Sequence, residues 1–74
     1  MPDLSNVVTP QEYAAVRTRQ FPSAESLRWF TRNHRPRLAK AGALLVIAGR
    51  NFIDPVAFDK VVAAVGVEKA RATA

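Results

Sequence analysis

The sequence predicts a small α+β domain, mostly helical, with a two-stranded hairpin placed before its last helix. Three observations carry this reading. Helix starts marked by a capping residue stand at "VVTPQEY", "SAESLRWF" and "IDPVAFD". Residues 44–48 form a continuous apolar run rich in branched side chains, too short for an independent helix. Gly49-Arg50 then fits a two-residue turn into "NFID", the return strand.

Each element has its own local cause. Thr9 is an N-cap, Pro10 takes the first helical position and Glu12 completes a capping box, with Val8 and Tyr13 at the staple positions. The helix is expected over residues 10–20, with Tyr13 and Val16 facing inward, until "FPS" breaks it. Ser23 caps the second helix and Glu25 suits the positive end of its dipole. Helical spacing puts Leu27 and Phe30 on one face, and Glu25, Arg28 and Arg32 on the other. Pro36 disfavours helical geometry at Arg35, so this helix should stop near His34 as a C-cap and be followed by a loop. Gly49 at the first central position predicts a type II′ turn with Arg50 at its tip. Asp54 caps the last helix, Pro55 starts it, and Ile53 staples to Phe58. Phe58, Val61, Val62 and Val65 make its apolar stripe, Gly66 is the expected stop, and "VEKARATA" should fray. The chain divides into an arm at residues 1–8, a domain at 9–66 and a flexible basic tail at 67–74. Two helices across a tight break, then a hairpin and a helix, is the order of a winged helix-turn-helix.

Seventy-four residues with 49% hydrophobic content allow one packed core, near the lower size limit for unaided folding. The chain has no cysteine, one histidine, no phosphate-cradling glycine loop and no paired carboxylates. Neither a cofactor, a metal site nor an enzyme is therefore expected. No apolar run approaches the ~18 residues of a membrane span, and the N-terminus lacks the pattern of a secretory signal. The expected location is cytoplasmic. The net charge is +5, and its placement matters more than its size. Residues 26–53 carry six basic side chains and no acidic one, whereas the remainder carries five basic and six acidic. Cations segregated in this way are the electrostatic footprint of a phosphate-binding face.

The segments "TPQEYAAVRTRQFPSAESLRWF" and "RLAKAGALLVIAGRNFIDPVAFDKVV" resemble the small MerR-like winged helix proteins that include excisionases of phages and mobile elements. The features that match are Glu12-Tyr13-Ala14, Leu27-Arg28-Trp29, and the series Ala41-Gly42, Gly49-Arg50, Ile53-Asp54 and Phe58. The resemblance covers residues 9–65. It implies a DNA-binding accessory or regulatory protein without catalytic activity, either an excisionase that directs an integrase or a transcription factor acting on RNA polymerase. Here the first strand is uncharged and Asn51 follows Arg50 in the wing.

Roles follow from the expected placement of helix 24–34 in the major groove of double-stranded DNA. Glu25 serves either cytosine N4 or the helix dipole, Arg28 suits guanine, and Ser26 binds base or phosphate. Arg32, Arg35, Arg37 and Lys40 read as phosphate contacts, and Arg50 with Asn51 as the wing's minor-groove contact. Trp29 is expected to pack on the wing or first helix rather than stack on a base, and Arg17 and Arg19 to be solvated. The strand "ALLVIA" is apolar on both faces, so its second face either meets the first helix or a loop, or contacts a second protomer on neighbouring DNA. The alternative function is an adaptor whose basic face docks an acidic partner protein.

Overall fold

The computed structural model describes residues 4–73. Residues 1–3 of the expected arm and residue 74 of the expected tail lie outside them. A 3-10 turn at Leu4–Asn6 leads into α1 (Pro10–Val16), α2 (Ala24–Asn33), α3 (Arg35–Lys40), β1 (Leu44–Ile47), β2 (Arg50–Ile53) and α4 (Pro55–Thr73). The described residues thus form a mostly helical α+β fold with four α-helices and one antiparallel hairpin, measuring 41 × 25 × 18 Å.

The caps form as the sequence dictates. The Thr9 hydroxyl accepts from the Glu12 N–H at 3.1 Å while the Glu12 carboxylate accepts from the Thr9 N–H at 2.9 Å. That backbone bond to the charged form holds the Glu12 carboxyl below its usual range. Ser23 caps α2 reciprocally with Ser26. One oxygen of Asp54 accepts from the Val56 and Ala57 N–H groups at 3.1 and 3.3 Å. Both partners of the Ile53 and Phe58 staple are fully buried.

Phe58 is the centre of the core. Its ring lies 4.7 Å from Tyr13, 5.8 Å from Phe30 and 6.2 Å from Phe21, centroid to centroid. Leu27, Leu38 and Ile53 close around this cluster, and Val61 and Val65 extend it along α4. The hairpin is anchored through Leu44 and Ile53, which face each other in the ladder and are both buried. Val8 gives the sheet one further bridge, exchanging backbone bonds of 2.9 and 2.8 Å with Ile53. The end of the expected arm is thus part of the sheet.

Four sequence expectations need correction. First, α1 ends at Val16, and Val16 is 71% exposed. The inward direction runs between Tyr13, Ala14 and the half-buried Arg17, which leaves Val16 on the flank. Second, the expected loop after His34 contains a helix. Pro36 sits in the first turn of α3, where a missing N–H is no loss, and burial of Leu38 holds the turn in place. Third, α4 runs through Gly66 to Thr73, so residues 67–73, read as part of a frayed tail, are helical. A mid-helix glycine costs about 1 kcal/mol; here burial of Val65 just before it and the Glu68 ion pair to Arg37 of α3 just after it tie both flanks of Gly66 to the fold.

Fourth, the hairpin register pairs Ile47 with Arg50, so the turn residues are Ala48 and Gly49. Both have positive φ, 53° and 76°, the type I′ requirement, and Arg50 is the first residue of β2 rather than the tip. An alanine in the left-handed region is strained by about 1 kcal/mol. Ala48→Asn, a residue suited to this position, is expected to raise the melting temperature by several degrees. An unchanged or lower melting temperature would contradict the assigned turn.

Candidate nucleic-acid interface

The basic segment is displayed by α2, whose inward side is fixed by Leu27 at 2% exposure and by Phe30 against Phe21 and Phe58. With that side committed, Arg28 and Arg32 must project outward, one turn apart. Arg35, at the start of α3, continues the row. The three arginines line a cleft of about 370 Å³ between the helices and the hairpin. Leu27, Leu44 and Ile53 contribute to its floor, and Gln11, Thr31 and Asn51 add polar groups. No carboxylate lines it. Among the described residues, neither Arg28, Arg32 nor Arg35 is ion-paired.

The other candidates are distributed differently. Glu25 is exposed in the first turn of α2 and does not line the cleft. The Ser26 hydroxyl is occupied by the cap: it donates to the Ser23 carbonyl at 2.7 Å and accepts from the Ser23 N–H at 3.3 Å. In this geometry the hydroxyl proton serves the cap, and the oxygen faces the start of α2. Arg37 differs from the other arginines of the segment. It donates to both carboxylate oxygens of Glu68 at 2.8 and 2.6 Å, so a phosphate would have to compete with that pair. The pairing holds the Glu68 carboxyl below its usual range. Arg37 and Lys40 line a separate groove with Lys60, Asp54 and the apolar residues of α4.

The two wing residues separate as well. Adjacent strand residues project to opposite faces, so Asn51 enters the cleft while Arg50 points away from that face. Asn51 therefore belongs with Arg28 and Arg32, and the wing is left with Arg50. Trp29 is not part of the buried core. It is 57% exposed, with the Lys69 ammonium 5.9 Å from its ring centre. His34 does cap α2, and its ring lies 4.5 Å from Phe30.

One polar network was not foreseen. Arg17, read as solvated, donates to both oxygens of Asp59 at 3.0 and 2.8 Å, and the Tyr13 hydroxyl donates to the same carboxylate. The signal was present in the i, i+4 spacing of Tyr13 and Arg17, but only the fold brings Asp59 opposite them. Burial and the neighbouring carboxylate push the Tyr13 hydroxyl upward, so it stays protonated. The Arg17 guanidinium, helped by Tyr13, holds the Asp59 carboxyl below its usual value against the opposing effect of burial. A depressed carboxyl contributes stability that is complete above about pH 4 and lost as pH falls through the lowered value. Asp59→Asn is therefore expected to lower the urea midpoint at pH 7 and to flatten its decline below pH 4. Parallel declines in both proteins would remove Asp59 from the acid response.

Among the described residues no helix is long and apolar enough to cross a membrane, and no cluster of metal-ligating side chains occurs. Comparison with family models, with curated proteins and with solved structures returned no match.

Proposed function

We propose that the protein binds double-stranded DNA as a small winged helix-turn-helix, serving a mobile element either as an excisionase-like directionality factor or as a transcriptional regulator. One observation carries this reading: Arg28, Arg32 and Arg35 converge on a single acid-free cleft beside the hairpin. Unpaired guanidinium groups in a row replace the counterions of a duplex at low cost. In this mode α2 enters the major groove, with Arg28 and Glu25 near base edges. Arg32 and Arg35 meet phosphates, and Arg50 follows the adjacent minor groove.

The test is the dependence of duplex affinity on salt. The two phosphate contacts of Arg32 and Arg35 give a slope of log affinity against log salt of about −1.8, at about −0.9 each. A slope near zero removes the reading. A second reading, the adaptor for an acidic partner, is favoured by the separate groove rimmed by Arg37, Lys40 and Lys60, which shares no residue with the cleft. Excess duplex DNA should then leave partner binding intact.

A further inference from the structure

The α2–hairpin cleft has a property that duplex binding does not use. A phosphodiester backbone presents charge and sugar to a protein, and needs cations on a surface rather than a recess with an apolar floor. Here the exposed arginines share the lining with Pro10, Ala24, Leu27, Leu44 and Ile53, of which the last three are buried. The volume, about 370 Å³, lies at the lower end of the range of about 300–1,000 Å³ typical of small-molecule sites.

We propose that this cleft binds a small amphipathic anion, an aromatic ring system carrying one carboxylate, and that the bound anion excludes DNA from the same face. The exclusion rests on the DNA reading above, whereas the binding itself does not. Arg28 and Arg32 stand one helical turn apart, about 6 Å along the axis. Either can pair with a carboxylate through two parallel bonds. Planar guanidinium groups also stack on aromatic faces, which favours an aryl body over a flexible chain. Asn51 of β2 and Gln11 of α1 supply amide donors from the opposite walls. Charge alone does not define the ligand, because most of the wall offers no polar partner. An apolar body alone leaves three guanidinium groups without a counter-charge.

The experiment titrates the isotope-labelled full chain with 2-naphthoate, 2-naphthylmethanol and acetate, following backbone amide shifts. 2-Naphthoate is expected to shift the amides of Ala24, Thr31 and Asn51 to saturation. The neutral alcohol should bind at least about tenfold more weakly, the loss of one net charge-assisted contact, and acetate should not saturate. The double variant Arg28→Gln/Arg32→Gln should weaken 2-naphthoate by tenfold or more, while Arg71→Gln on α4 should leave it unchanged. Equal affinity for acid and alcohol, shifts confined to residues 56–64, or no saturation at the solubility limit would each overturn the site. A second arm follows a labelled duplex by anisotropy as 2-naphthoate is added. Displacement at the concentration that saturates the amides supports exclusion, and a ternary complex overturns it. If the duplex never binds, the DNA reading and the exclusion fall together, and the amide shifts alone still decide the ligand site.

Discussion

The combined variant Arg28→Gln/Arg32→Gln/Arg35→Gln is expected to lose duplex DNA affinity by about a hundred- to a thousandfold at 0.1 M salt. Its salt dependence should also become shallower by about 0.9 for each phosphate contact removed. A guanidinium bonded to a base edge is worth about 1–3 kcal/mol, and contacts to phosphates add the counterion term. The informative comparison is Arg37→Gln. It removes one formal charge, from a side chain already committed to Glu68, so affinity should change by less than about threefold, the scale of a screened charge at a distance, whereas each cleft arginine should cost more than that. Fluorescence anisotropy with a labelled duplex at four salt concentrations measures both. If the single variant costs as much as the triple one, DNA does not lie against the cleft.

The largest effect on stability is expected from Phe58→Ala. Phe58 is fully buried and contacts three other aromatic rings. Truncating a phenylalanine in such a place costs about 3–5 kcal/mol. A domain of this size without disulfide or metal has a total stability of about that magnitude. The variant should therefore be largely unfolded at 37 °C, whereas Phe58→Leu, which leaves a smaller cavity, should retain a cooperative transition at lower temperature. Calorimetry separates the two outcomes. Cooperative melting of Phe58→Ala within a few degrees of the parent would displace Phe58 from the centre of the core.

Much of this core was legible in the sequence because its signals are local. Thr9 with Glu12, Ser23, and Asp54 with Pro55 mark helix starts by chemistry that acts over three residues. The stripe from Phe58 to Val65 reports its buried face directly. What escaped the sequence depends on contacts between distant segments. Pro36 carries the same conformational bias whether a chain ends a helix or begins one, and only the cavity that receives Leu38 decides. Gly66 reads as a stop until Glu68 finds Arg37, thirty-one residues earlier. The turn moved by one residue because the ladder was set by Leu44 opposite Ile53, both buried, and that register outweighed the preference of Ala48 for negative φ. The same limit applies to the candidate site. The row of arginines was visible as a charge pattern, but its division into a free trio and a paired Arg37 was not. The alternation that sends Asn51 and Arg50 to opposite faces followed only once the register was known.

The exposed position of Trp29 has a practical outcome for anyone who follows this molecule by spectroscopy. The single indole already sits largely in water in the native state, so its emission should barely move when the chain melts and would make a folded sample look denatured. The near-ultraviolet circular dichroism of Tyr13, held between the rings of Phe21 and Phe58, is the optical signal that should vanish with the native packing.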